Sequence, residues 1–282
     1  MTALDRIDPP ARGLDSLTLW AGLILVALHV VIGLLSLVWT PYDPTAMAGG
    51  RLEAPSLAHW VGTDRLGRDF LTQIMIGSRI ALIVGTGAVA IGAAIGITLG
   101  LLAAFTSKFL DDALAAALDI LIAFPTLLIA MLVVAASDTA TLGSAVVALG
   151  IALSAIVARF TRILAKRVLL MDYITAARTS GTSWLGVVFG HVLPNIWPSL
   201  SVNLALQFGL AVIAEASLSY LGLGAPPPNA SWGRLLQEAQ GTVFTAPIGA
   251  IAPGIALVSL VIGINLLADG LRDSIDPTRR AR

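Results

Sequence analysis

A chain of 282 residues that is 57% hydrophobic and 12% charged, with repeated uncharged stretches of bilayer length, is an integral membrane protein and not a soluble domain. Seventeen Lys and Arg balance seventeen Asp and Glu, so no basic patch stands apart to hold nucleic acid. With no cysteine, disulfides, thiolate catalysis and cysteine-ligated metals are excluded.

A hydrocarbon core roughly 30 Å thick needs about 20 apolar residues in a helix, because every backbone amide in lipid must bond internally. Six stretches qualify, at 17–39, 80–105, 113–136, 142–158, 196–221 and 247–268. The predicted fold is all-α with six transmembrane helices. The fourth stretch is short and is expected to run past Arg159. The first is too long for a secretory h-region and lacks a small-residue cleavage site, so it reads as a retained span. Its His29 has no titratable neighbour in sequence and reads as a packing residue.

Orientation follows the distribution of Lys and Arg. With the N-terminus inside, the cytoplasmic segments hold Arg6, Arg12, Lys108, Arg159, Arg162, Lys166, Arg167, Arg178, Arg272, Arg279, Arg280 and Arg282. The outside keeps Arg51, Arg65, Arg68, Arg79 and Arg234. Twelve against five predicts that both termini, including the segment 1–16, are cytoplasmic.

Between the first two spans, 40–79 is polar, carries Pro41, Pro44, Pro55 and the Gly49–Gly50 pair, and reads as an external loop. Its "GTDRLGRD" block spaces Asp64 from Arg68, and Arg65 from Asp69, by four residues. On a helix both pairs meet, each contributing about 0.2 to 0.5 kcal/mol. The block reads as a solvated helix leading into the second span, or as a contact for an external partner through those four residues.

In the second span Gly92, Gly96 and Gly100 recur every four residues, a stripe along which another helix can approach closely, for packing or for rocking. In the third, Asp119 lies toward the cytoplasmic end, solvated or paired there, with a pathway role as the alternative. Pro125 should kink that span.

The stretch after "ARFTRILAKRVLLMDY" is too polar for lipid. Asp172 can cap a helix whose first turn is 173–176, and Gly181 is its expected stop. A second short helix over 183–191 would carry Trp184, Val187 and Val188 on one face before Pro194 opens the fifth span. Two short helices joined at a glycine either anchor at the membrane interface or lie in a groove on a soluble partner. The cytoplasmic loop thus covers 159–194. Glu215, toward the external end of the fifth span, reads as a partner at a subunit interface or as a substrate contact. The segment 222–246, with Pro226, Pro227 and Pro228, is a second external loop.

No chemistry of its own is written in the chain. A P-loop needs Gly-Lys-Ser/Thr, yet the two lysines, Lys108 and Lys166, follow Ser107 and Ala165. His29, His59 and His191 are too scattered for a metal site, and neither HExxH nor Gly-x-Ser-x-Gly occurs.

"TAARTSG", nine residues, then "HVLP" resembles the EAA motif of bacterial ABC importer permeases: Ala176, Ala177, Gly181, Leu193 and Pro194 match at the right spacing. Thr175 stands for the family's glutamate and His191 for an apolar residue. "GTDRLGRD", "LDILIAFPTLL", "YITAARTSG", "HVLPNI", "EASLSYLGLG", "SWGRLL" and "NLLADGLRDSIDP" then follow in the order seen in the C-type permease subunit of dipeptide, oligopeptide and nickel importers. The resemblance implies the type I importer (MetI-like) fold in the bacterial inner membrane. It implies a homologous B-type permease as heterodimer partner, an external substrate-binding lipoprotein, and two ATPase subunits that bind ATP and Mg²⁺ while this subunit binds no cofactor. It also implies that Asp172, Tyr173, Thr175, Ala176, Ala177, Arg178, Gly181, His191, Leu193 and Pro194 dock on an ATPase, although Thr175 cannot supply the glutamate's charge. Peptide is the implied cargo, with nickel complexes, glutathione or haem as alternatives. A secondary transporter would be expected to show inverted repeats and paired buried acids, and an enzyme a nucleophile or metal cluster; neither pattern is present.

Overall fold

The computed structural model describes residues 12–137, 141–224, 226 and 229–275. Residues 1–11, Pro227, Pro228 and the end of the chain from Asp276, with their sequence expectations, lie outside the described residues. Among the described residues ten α-helices follow one another: α1 (Arg12–Leu35), α2 (Phe70–Phe105), α3 (Lys108–Ala123), α4 (Thr126–Ala135), α5 (Leu142–Leu169), α6 (Asp172–Thr179), α7 (Trp184–Val187), α8 (Leu193–Tyr220), α9 (Trp232–Ala239) and α10 (Ile248–Ile275). Five continuous runs are long and apolar enough to cross a membrane. A sixth crossing exists only as the pair α3 and α4, which meet at 87°.

Several boundaries move from their sequence-based positions, each for a local reason. α1 ends at Leu35, short of Trp39. α2 begins ten residues before Ile80, because Asp69 caps it by accepting from the Thr72 amide at 2.8 Å. At about 54 Å it outruns the bilayer core. α5 passes Arg159 and reaches Leu169, as expected, and starts with a capping box between Thr141 and Ser144. The third span is not one helix: α3 stops at Phe124, whose amide donates to the Leu121 carbonyl, and Pro125 offers no amide to carry the ladder on. The kink expected at Pro125 is a full break.

α2 and α5 form the tightest seam. A Cβ built on Gly96 would lie 2.6 Å from the Val157 Cβ and 2.7 Å from the Ser154 carbonyl, and one on Gly92 would lie 3.2 Å from the Gly150 carbonyl. The glycine stripe is therefore a packing surface. A second small-residue seam, not read from the sequence, joins α1 to α10: a Cβ on Gly22 would reach the Leu267 amide at 2.5 Å, and Gly263 faces Leu25. Across these helices His29 is buried, bonding Ser259 Oγ at 2.9 Å and meeting the edge of Trp232, whose Nε1 donates to the Ile74 carbonyl. It is a packing residue. Trp232 opens α9, a helix inside what the sequence suggested was only loop, with Ser231 as its cap.

The bundle has two ends. At one, the loop 36–69 and α9 sit together; at the other, the ends of α2 and α5 carry α6 and α7.

Candidate functional site

The segment from Leu170 to Pro194 builds an elbow with its own small core. Ile174, Val187, Val192 and Ile196 are buried with Ala165, and Leu101, Phe105, Val168 and Leu169 pack around them. Movement of the elbow is thereby tied to the ends of both α2 and α5. Asp172 does not cap α6: Met171 holds the cap position without a side-chain bond, and Asp172 lies in the first turn, where its charge complements the helix dipole. The stop is as expected. The Thr182 amide reaches the Ala177 carbonyl and the Gly181 amide the Arg178 carbonyl, each at 3.0 Å, with Gly181 at φ +88°: a complete Schellman motif. A Cβ there would meet nothing within 4 Å, so this position needs glycine for its backbone angle and not for space.

After Gly181, Ser183 caps α7 by accepting from the Gly186 amide. The second helix does not end at His191. Pro194 has no amide for the Gly190 carbonyl, and its ring would crowd that carbonyl in a straight helix. One π turn over Val188–Val192 absorbs the misfit, the Leu193 amide reaching back to the Val188 carbonyl. Asn195 Nδ2 donates to the His191 carbonyl at 2.6 Å. One continuous run from Trp184 to Tyr220 results, with Pro194 in the first turn of α8, as expected.

The two elbow helices are clasped by Arg178, whose guanidinium lies 3.4 Å from the centre of the Trp184 ring, while that ring meets Phe105 edge-on. Tyr173 and His191 come together at 6.2 Å between ring centres. Thr175 and Ala176 are exposed on α6, Ala177 and Leu193 are half-buried, and Val187, expected to share a face with Trp184, is fully buried. The outer crest is apolar: Leu185 is 70% and Phe189 67% exposed. Spacing alone does not single them out, because Trp184, Val187 and Val188 offer a competing apolar face in the same short stretch.

The remaining candidate residues are distributed elsewhere. The Gly62–Asp69 block is not a helix. Gly62 and Gly67 have positive φ, Thr63 pairs with Asp69 across a single antiparallel bridge, and Asp64 accepts from the Leu66 and Arg68 amides at 2.7 and 2.9 Å. Asp64 still pairs with Arg68 at 2.5 Å. The Arg65–Asp69 pair does not form: Asp69 takes His59 at 2.9 Å instead. With Asp64 and Asp69 buried inside the loop, Arg65 and Arg68 are the members of the four left partly open. Arg68 also joins Glu238 of α9, which Arg234 holds from the next turn.

Glu215 is buried inside the chain, accepting from Ser219 Oγ at 2.6 Å and bonded to Ser231 at the start of α9. Within this chain its carboxylate is enclosed and has no open face. Asp119 and Arg159 form an ion pair at 3.0 Å between α3 and α5, 55% and 51% exposed. Nearer the elbow, Asp111 takes Arg162 through both carboxylate oxygens, at 2.5 and 2.9 Å, and Lys166 as well. This buried latch, 51 and 55 residues apart in sequence, was invisible to spacing arguments. Asp111→Ala would strand two cations against apolar packing. Because Lys166 is partly exposed, we expect a loss of about 2 kcal/mol, below the range for fully buried pairs. Scanning fluorimetry in detergent should show it as a melting temperature lower by roughly 5 °C.

Among the described residues no group of three or more His, Asp or Glu side chains is placed to hold a metal ion. What the geometry offers is mechanical: an exposed apolar crest on an elbow packed against two membrane helices.

Residues 96–281 match the family described as binding-protein-dependent transport system inner membrane component. The chain is 41% identical over 228 residues to the glutathione transport system permease protein GsiD of Pectobacterium atrosepticum, covering 80% of this chain and 74% of that protein. It is 34% identical over 262 residues to the dipeptide transport system permease protein DppC of Alkalihalophilus pseudofirmus, covering 92% and 86%. To the GsiD protein of an Escherichia coli strain it is 38% identical over 259 residues, covering 90% and 84%.

Proposed function

The chain belongs to the family of binding-protein-dependent transport system inner membrane components, as a multi-pass inner-membrane permease subunit, and from that premise we propose that it is one half of the path of an ATP-driven importer of short peptides. A homologous permease completes the path, an external binding protein delivers the cargo, and two ATPase subunits, which hold ATP and Mg²⁺, drive it. Relatives named for dipeptide and for glutathione transport support a small peptidic cargo. Both termini and the elbow face the cytoplasm in this reading, in keeping with the excess of Lys and Arg on that side.

The observation that carries it is the elbow. Leu185 and Phe189 would be costly to leave in water, and an amphipathic turn with such a crest suits a groove on a soluble partner. Seated there, the elbow passes the closing and opening of the ATPases through Ile174 and Val187 to α2 and α5. ATP then shifts the chain between two arrangements by its differential affinity for them.

Changing both Leu185 and Phe189 to Glu should leave the chain in the membrane with an unchanged melting temperature, while the ATPases no longer copurify in mild detergent and uptake falls to background. Unaltered copurification and uptake in that variant would overturn the docking. Uptake of labelled dipeptide and labelled glutathione in a strain lacking the chain separates the two cargoes.

A further inference from the structure

Two features of α3 sit where lipid cannot be their neighbour. The first is the Asp119–Arg159 pair. Asp119 lies eleven residues into α3 and Arg159 ten residues before the end of α5, so each stands about 15 Å along its helix from the elbow end. The Asp111 latch, one step nearer the elbow, aligns the two helices at that level. Unlike Asp111 and Glu215, which are consumed inside the chain, Asp119 and Arg159 are each about half open to whatever lies outside it. A charged pair facing hydrocarbon is strongly disfavoured, so this face meets water or protein.

The second feature is independent. One to two turns beyond Asp119, α3 breaks at Phe124 and Pro125, both exposed, and α4 departs at 87°. Non-helical backbone at membrane depth is tolerated only where protein buries it or where it lines a water-filled cavity. The carbonyl end of α3 also adds negative potential on the side of Asp119. On the other side of α3, Leu118 and Ile122 pack on Leu99, Ala155 and Ala158, which fixes the charged edge as the free one.

We propose that Asp119 and Arg159 are the cargo-contacting charges of this subunit. When a peptide with free ends enters the path, the pair opens. Asp119 takes the peptide's ammonium, assisted by the end of the α3 dipole, and Arg159 takes its carboxylate through two N–H donors. The pair at rest is the closed form of the same site, each charge standing in for the cargo group of its own sign. No bond is made or broken in the step; one ion pair is exchanged for two. This assignment rests on the peptide-importer reading given above.

The test uses the complete transporter in proteoliposomes, with the binding protein saturating so that its own selectivity does not limit the rate. The cargoes are a labelled dipeptide, its N-acetylated form and its C-terminal amide. Asp119→Asn should slow uptake of the free dipeptide at least tenfold and leave the already slow uptake of the N-acetylated form unchanged. Arg159→Gln should do the same with the amide as the insensitive cargo. Both variants should assemble with the partner permease and keep the melting temperature within a few degrees. Equal slowing of all three cargoes, loss of the partner permease on purification, or wild-type rates in both variants would each overturn the assignment. A wild-type transporter that carries no dipeptide would remove the functional reading itself, and this site with it; normal wild-type uptake with indifferent variants removes the site alone.

Discussion

Gly96→Leu is expected to abolish accumulation of the folded chain in the membrane. At this position α2 and α5 are so close that even a Cβ would stand 2.6 Å from Val157 and 2.7 Å from a backbone carbonyl, and the carbonyl cannot rotate away. Overpacking costs about 1 to 3 kcal/mol where side chains can adjust, and a wedge against backbone exceeds that range. The seam also lies between the elbow and the rest of the bundle, so no alternative packing restores both. The same substitution at Gly254, on the open side of α10, is the matched control, because a Cβ there meets nothing within 4 Å. Immunoblots of membranes should show the Gly96 variant below about a tenth of the wild-type level and the Gly254 variant near it. Comparable levels of the two would show that the seam is looser than described.

Gly181→Val is expected to uncouple transport while leaving the membrane bundle intact. The position has open space around it, so bulk alone does no harm; what a side chain disturbs is the backbone at φ +88°. A residue with a Cβ in that region costs about 1 to 3 kcal/mol, with β-branched residues at the upper end. That is enough to depopulate the Schellman turn by up to a hundredfold or so. α6 has eight residues and one buried side chain, Ile174, so it has little with which to resist. Uptake should fall more than tenfold, whereas ATP hydrolysis by the partner subunits should persist without being matched by transport. Gly181→Asn should retain much of the activity, since asparagine tolerates the left-handed region. Peptide uptake in the valine variant equal to wild type would contradict the role given to the elbow.

The apolar runs, the passage of the fourth span beyond Arg159, the glycine stripe on α2 and the glycine stop at Gly181 were all legible from residue order. Each depends on periodicity or on hydrogen bonds that close within one or two turns. Pro125 was legible as a perturbation, but not the angle of 87°, which is set by what α4 packs against on α5 and α8. The elbow was likewise visible as a polar interruption with a glycine in it, and its apolar crest at Leu185 and Phe189 emerged only once the core beneath it showed which side was covered.

Partner choice was decided elsewhere. The four-residue spacings in the Gly62–Asp69 block suited a helix, but backbone amides of a tight turn and the ring of His59 claimed Asp64 and Asp69 first. By residue order Glu215 suits a subunit interface or a substrate contact, yet α9 folds back over it and Ser231 bonds it. Asp111 found Arg162 and Lys166 across more than fifty residues. Residue order determines where this chain crosses the membrane and where it bends, because those are questions of local hydrophobicity and backbone geometry. Which charges are satisfied within the chain and which stay open is decided only when distant helices meet, because a charge in a low-dielectric interior takes whatever partner the packing brings within about 3 Å, regardless of sequence distance.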